Sequence, residues 1–359
     1  LHTQSSFRLL VVRLGAMGDI LHALPAVTAL RQAHPAWQIG WVVEPRWQAL
    51  LSAGNRDQGS GIRDGAMPVV DRLHFAASRA WKRHPLNGKT LSQIKELRRE
   101  LRSVQYDAVL DLQGAIRSAV IGGMTGCVRR IGEARPREWP AHWLFTERIA
   151  THGAHVIEQD VELASAVAGD ALTAAAPLLP VDREAESWCD DWLAESVAAA
   201  GAGPLALVIP GAGWGAKRWP PERYAAVAKG LKDRGMQVLV NAAPGEESLA
   251  APISAGGAVP ITTTLSQLIE LTRRIALCVG GDTGPLHLAS ALGRPVVGIY
   301  GPTDPSRNGP YGTRARVLRS PGSRRDHSRR DAPEPGLLTI APEDVMRAAD
   351  ELLAEERAS

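Results

Sequence analysis

The chain reads as an α/β protein built from two consecutive doubly wound domains, and three observations carry that reading. Apolar strand-like runs alternate with helical segments in both halves of the 359 residues. In each half one strand runs into a glycine turn followed by an acid and a helix, at Gly15-Ala16-Met17-Gly18-Asp19 and at Gly280-Gly281-Asp282-Thr283-Gly284. A proline- and glycine-rich break, Pro177-Leu178-Leu179-Pro180 to Gly201-Ala202-Gly203-Pro204, separates the halves.

In the first half Arg8–Leu14 has the continuous apolar character of a buried parallel strand, and Ile39–Val43 repeats it. Between them Ile20–His34 repeats Leu21, Leu24, Val27 and Leu30 at helical spacing, with Pro25 expected in about the first turn, where its missing N–H is harmless. The stretch 55–65 is rich in Gly, Asp and Arg and predicts a loop. Pro68–Leu73 predicts a short strand, Lys89–Leu101 an amphipathic helix, and Ala108–Leu112 a strand leading into Gln113-Gly114. Within the break, 183–200 predicts an amphipathic helix with Trp188 and Trp192 one turn apart.

The alternation resumes with strands at Leu205–Ile209, Gln237–Asn241, Ile275–Val279 and Val296–Tyr300. Helices are expected at Pro221–Asp233, Gly245–Ile253, Leu265–Thr272, Leu288–Leu292 and Pro342–Glu356. The segment Ser320–Gly336, dominated by Arg, Pro, Ser, Asp and Gly, offers no core and predicts an exposed loop. The resulting domain plan is 1–175, a linker region at 176–203, 204–340, and a last helix at 341–359 with a possible return to the first domain.

Composition excludes several classes. A formal charge of +3 with Lys and Arg spread along the chain does not imply nucleic acid. Cys127, Cys189 and Cys278 have neither metal nor redox spacing, which fits a reducing cytoplasm. No signal peptide precedes the first strand and no apolar run has membrane-spanning length, so any membrane association is expected to be peripheral.

The Gly15–Asp19 turn lacks the third glycine of the dinucleotide fingerprint, which makes a nicotinamide dehydrogenase a weak alternative. Asp19 reads either as a helix cap or, at the carboxyl end of the first strand, as an acceptor for a hydroxyl proton. Pro210–Pro220 carries three glycines with Lys217 and Arg218, so it can wrap an anion; it lacks the Lys-Ser or Lys-Thr of a Walker loop, and a structural turn capped by Trp214 and Trp219 stays open. Asp282, Thr283 and His287 place an acceptor, a hydroxyl and an imidazole around a helix start, the alternative being a cap and a packed histidine. Arg79, Lys82, Arg83 and Lys89, interleaved with Trp81, are either a solvated face or a landing site for an acidic acceptor. A non-catalytic nucleotide-binding module could use the same turns without needing Asp19.

Four segments, Val12 to Ala26, Asp111-Leu112-Gln113-Gly114, Gly281 to Ala289 and Tyr300-Gly301-Pro302-Thr303-Asp304-Pro305, together resemble the bacterial lipopolysaccharide heptosyltransferases of glycosyltransferase family 9. The likeness runs over roughly residues 7–320 and is nearest to members that add the first heptose. It implies the GT-B architecture, two Rossmann-like domains facing a central cleft, with acceptor mainly in the first and nucleotide sugar in the second. It implies an inverting, metal-independent transfer from ADP-L-glycero-D-manno-heptose to a Kdo sugar on lipid A, with no resident cofactor, by a cytoplasmic enzyme peripheral to the inner membrane. By the family pattern Asp19 is the general base and Lys217 the catalytic cation at the donor phosphates. Donor contacts then fall to Gly211, Ala212, Gly213, Glu246, Thr263, Asp282, Thr283, Gly284 and His287. Acceptor contacts fall to Gly18, His22, Arg79, Trp81, Lys82, Arg83, Gln113 and Arg117. Gly211-Ala212-Gly213 stands where hydroxyl residues are expected and Ser320–Gly336 is longer and more basic than the pattern, so another nucleotide sugar or acceptor remains an alternative.

Overall fold

The computed structural model describes residues 6–52, 68–196, 203–243, 245–326 and 330–358; the loop expected at 55–65 and the end of the helix expected at 183–200 lie outside them. The chain divides into two units at Pro180 and Val181.

The first unit contains β1 (Arg8–Val12), α1 (Met17–Ala33), β2 (Gln38–Val43), β3 (Arg72–Phe75), α2 (Ser78–Arg83), α3 (Gly88–Val104), β4 (Ala108–Asp111), α4 (Ile116–Met124), β5 (Arg130–Glu133), β6 (Glu147–Ile149) and α5 (Val156–Ala168). Its six strands run parallel in the order β3-β2-β1-β4-β5-β6. Leu9 to Val12, Trp41 to Val43 and Ala108 to Leu110 are buried, as central parallel strands covered by helices require.

The second unit contains α6 (Arg183–Ser196), β7 (Leu205–Ile209), α7 (Pro221–Asp233), β8 (Gln237–Asn241), α8 (Glu247–Ala255), β9 (Val259–Ile261), α9 (Leu265–Arg274), β10 (Leu277–Gly281), α10 (Gly284–Ala291), β11 (Val296–Tyr300), α11 (Pro305–Asn308), β12 (Ala315–Arg319) and α12 (Pro342–Ala358). Its parallel order is β12-β11-β10-β7-β8-β9. Counted from the first strand of each unit, both sheets have the doubly wound order 3-2-1-4-5-6. The crossover direction therefore reverses between β1 and β4 in one unit and between β7 and β10 in the other, and open α/β sheets bind ligands at the carboxyl ends of such strands.

Several expectations shift. The helix after β1 starts at Met17 because the Asp19 carboxylate accepts the Ala16 N–H at 2.9 Å and closes the first turn early. Pro25 consequently lies mid-helix and withholds a donor from the Leu21 carbonyl. The third strand begins at Arg72, opposite Gly40, because Asp71 is occupied in accepting the Ile39 N–H at 2.6 Å and pairing with Arg31. In β10 the ladder continues through Gly280, opposite Ile209, and Gly281, opposite Ile299, so the turn starts at Asp282 and α10 at Gly284.

The region expected as linker is divided. Leu178 N–H reaches Thr28 Oγ1 at 3.3 Å on α1, whereas α6 packs on α9, with Cys189 fully buried beside Gln267. The last helix finds its apolar surroundings in the second unit: Val345, Ala348, Ala349 and Leu352 join the core, and α12 packs on α7, β11 and β12. The basic segment is also more anchored than composition suggests. Asp326 N–H donates to the Pro302 carbonyl at 3.1 Å, and Ala216 N–H donates to the Arg330 carbonyl at 2.9 Å. Among the described residues no helix is long and apolar enough to cross a membrane.

Candidate active site

In the first unit the site grows from the turn between β1 and α1. Gly15 has φ +137°, and a Cβ there would lie 2.5 Å from the Trp47 indole nitrogen, so both conformation and space demand glycine. Asp19 sits in the first turn of α1 with Oδ2 on the Ala16 N–H and Oδ1 3.7 Å from the Arg13 guanidinium. Arg13 Nε also donates to the Asp19 carbonyl at 3.1 Å. The Asp19 side chain retains 35% exposure, so it caps the turn and still faces solvent.

The turn after β4 supports this arrangement from beside it. Gln113 Oε1 accepts the Leu14 N–H at 2.9 Å, and Gln113 Nε2 donates to the Gly15 carbonyl at 3.2 Å. Both ends of that amide thus hold the Gly15 turn, which makes Gln113 a positioning residue. Gln113 is held in turn by Asp111, whose Oδ1 accepts from Gln113 N at 2.8 Å, Gly114 N at 2.9 Å and Ser118 Oγ at 3.1 Å. Burial pushes the Asp111 carboxyl up to about 6, against those hydrogen bonds and the charge of Arg13.

The expected acceptor residues divide by exposure. Arg79, Lys82 and Arg83 are exposed on α2, whose start is held by Glu44 through Ser78 Oγ at 2.7 Å and Arg79 N at 3.1 Å. Trp81 is half-buried and donates to Gln93 Oε1 at 3.0 Å. Arg117 is exposed in the first turn of α4, and Gly18 is half-exposed beside Asp19. His22 is buried, edge-on to His155 at 5.6 Å between ring centres. Arg46, not singled out from the sequence, stacks over Trp47 at 4.4 Å and lies 3.8 Å from Glu44, linking the Gly15 turn to α2. Burial and then the charge of Arg79 push Arg46 down from its ordinary value, with Glu44 opposing. Its sequence signal was Glu44-Pro45-Arg46-Trp47, a charged pair and an indole directly after β2.

In the second unit the turns after β7 and β10 meet at one cluster. Asp282 is buried, pairs through Oδ2 with Lys217 Nζ, and takes His287 Nε2 on Oδ1 at 3.0 Å. Burial alone would raise its carboxyl, but His287 and Lys217 hold it well below the usual carboxylate range. Lys217 Nζ also lies 4.2 Å from the centre of the Trp214 ring, so it is fixed by charge and by the indole face together. Tyr300 is buried near Asp282, and burial with that charge pushes its hydroxyl well above ordinary.

Around the cluster, Thr283 occupies the N-cap position of α10 with its hydroxyl turned back to donate to the Gly281 carbonyl at 3.3 Å, and Gly284 opens the helix. Gly211 is buried against Glu246: a Cβ there would lie 2.3 Å from the carboxylate. Glu246 itself lies 3.6 Å from Arg218. Ala212 is half-exposed and Gly213 exposed, leaving the loop crest open. Thr263 accepts from Asn241 Nδ2 at 3.1 Å at the end of β8. Among the described residues no group of three His, Cys, Asp or Glu side chains is disposed to hold a metal ion. A fixed ammonium beside a glycine loop and a helix start is suited to a diphosphate, because Lys217 has further N–H donors to offer an anion.

Comparison with known proteins identifies the family and the fold. Residues 94–336 match the model for glycosyltransferase family 9 (heptosyltransferase). The chain is 30% identical over 336 residues to lipopolysaccharide heptosyltransferase 1 of Escherichia coli, covering 88% of this chain and 92% of that protein. The solved structure of E. coli heptosyltransferase WaaC with ADP aligns with TM-score 0.76 at 26% identity, covering 96% of this chain and all of that one. E. coli ADP-heptose lps heptosyltransferase II shares the fold, with TM-score 0.75 at 23% identity over 98% of this chain and 100% of that chain. The chain belongs to glycosyltransferase family 9, the heptosyltransferases.

Proposed function

We propose that the chain transfers heptose from ADP-L-glycero-D-manno-heptose to a Kdo sugar of a lipid A-type acceptor, with inversion and without a metal ion or resident cofactor, at the cytoplasmic face of the inner membrane. The observation that carries the reading is the Lys217–Asp282–His287 cluster at the switch point of the second sheet. A relative's structure with ADP supports a nucleotide diphosphate as the ligand of the fold.

In an inverting displacement the acceptor hydroxyl attacks the anomeric carbon opposite the diphosphate, so one group must take its proton while cations stabilise the departing ADP. Asp19 takes the first role: Oδ1 is the oxygen not used by the cap. Lys217 takes the second, with the N–H groups at the start of α10 adding partial positive charge. Arg79, Lys82, Arg83 and Arg117 present charge to an anionic acceptor, and Arg46 joins them in this reading.

The test is Asp19→Asn assayed with ADP-heptose and a Kdo-lipid A acceptor. Asn keeps an oxygen for the Ala16 N–H, so ADP binding and thermal midpoint are expected to stay near wild type while turnover falls on the order of 10²–10⁴-fold. Near-normal turnover would reduce Asp19 to a helix cap. ADP release without acceptor dependence in the wild type would favour a nucleotide-binding module over a transferase.

A further inference from the structure

The first unit carries an apolar surface that the proposed chemistry does not use. Helix α4 and the 3₁₀ turn Trp139–Leu144 pack on each other around Ala119, Ala141 and Phe145. They are also tied end to end: Glu138 N–H donates to the Gly114 carbonyl at 2.9 Å, and Ile116 N–H donates to Glu138 Oε2 at 2.9 Å. Other large side chains of the two segments are left outside. Ile116 is 41% exposed, Val120 44%, Trp139 55% and Trp143 68%. Trp139 is held by stacking on His142 at 4.7 Å, so the exposed indole is ordered by the fold.

The charge bordering these residues is predominantly positive. Arg117 lies beside Ile116, and Arg135 and Arg137 precede Trp139, all three exposed. The adjoining acid, Glu138, is engaged in capping α4. Indoles sit favourably at the level of lipid headgroups, and arginines near an anionic leaflet gain from its surface potential. A second copy of the chain is a poor occupant: a two-fold contact through this patch would bring like arginines together. We propose that Ile116, Val120, Trp139 and Trp143, with their flanking arginines, dock the first unit onto an anionic lipid bilayer.

The inference builds on the proposed function only in that a lipid-linked acceptor must be met at a membrane, and its test involves no turnover. The full chain is sedimented with vesicles of phosphatidylcholine, with and without phosphatidylglycerol, and Trp139→Ser/Trp143→Ser is compared with Trp139→Phe/Trp143→Phe. Wild type is expected to partition onto the phosphatidylglycerol vesicles, less so as salt rises, and the serine variant's partition to fall on the order of ten-fold. The phenylalanine variant should retain most of the binding, and the serine variant should keep its turnover on a water-soluble, deacylated acceptor. Should the serine variant fail to fold, quenching of wild-type tryptophan fluorescence by brominated lipid decides the question. Wild type remaining in solution, equal partition of the serine variant, absence of quenching, or a wild-type dimer abolished by the serine variant would each overturn the assignment. None of these failures touches the transfer reaction, which the soluble acceptor reads separately.

Discussion

Asp282→Asn is the sharpest perturbation of the second unit, because one buried carboxylate holds two partners. Asn preserves the volume but removes the charge that faces Lys217, whose own side chain is only 11% exposed. The hydrogen bond from His287 loses its anionic acceptor and the one from Lys217 keeps only the donor's charge, a loss of about 1 kcal/mol each. Lys217 is then left without its counter-ion, where breaking a buried pair costs about 3–5 kcal/mol if nothing relaxes. The amide oxygen and the Trp214 face still offer Lys217 some compensation, so a net loss near 3 kcal/mol is expected. For a domain of this size each kcal/mol moves the midpoint by about 2–4 °C, which predicts a fall of about 6–12 °C by scanning calorimetry. Asp282 titrates below the unfolded-state value near 4, so its stabilisation is complete at higher pH and is lost as pH falls through the folded value. The gap between wild type and variant should therefore persist from about pH 8 to about pH 5 and narrow only below about pH 4. A midpoint shift under about 2 °C at neutral pH would refute the view that this carboxylate organises the cluster.

Other outcomes follow from the same geometry. Gly211→Ala should displace Glu246 and weaken ADP binding on the order of ten-fold by titration calorimetry; an unchanged Kd would remove Glu246 from the nucleotide site. Asp111 behaves oppositely to Asp282: its carboxyl is raised to about 6, so the folded state holds a proton that the unfolded chain has lost and stability declines as pH rises from about 4 to about 6. Asp111→Asn abolishes that decline, so the unfolding free energy of the variant relative to wild type should rise by up to about 3 kcal/mol over the interval; a pH-independent difference would count against the buried charge. Transferase activity should survive EDTA, and a loss restored by magnesium or manganese would defeat the metal-independent part of the proposal.

What was legible from sequence follows burial. Leu205–Ile209, Gln237–Asn241 and Val296–Tyr300 lie at their expected bounds, because buried parallel strands are apolar on both faces. The edge strands β6, β9 and β12 read Glu-Arg-Ile, Val-Pro-Ile and Ala-Arg-Val-Leu-Arg, with too little apolar pattern to find them. Helix α4 contains Gly122 and Gly123 and was equally hidden; its packing on the Trp139–Leu144 turn, a contact distant in sequence, supports it. The site shows the same division. Contiguous turns announced Asp19, Lys217 and Asp282, whereas Asp111 reaches the Gly15 turn of its own unit only through Gln113, Trp47 meets that turn only through tertiary contact, and Arg330 meets the Lys217 loop of the second unit in the same way.

Asp19 illustrates why cap and base were not alternatives. A cap needs one acceptor lone pair, and the Ala16 N–H takes it at Oδ2. A carboxylate has two oxygens and several further lone pairs, so capping leaves Oδ1 able to accept a proton. The cap fixes the rotation of the carboxylate, Arg13 at 3.7 Å fixes which way Oδ1 faces, and Gln113 fixes the turn on which both depend. A general base must hold its geometry before substrate arrives, and a flexible surface aspartate would not. The structural role is thus a condition of the proposed chemical one, which is why Asn, retaining the cap, is the substitution that separates them.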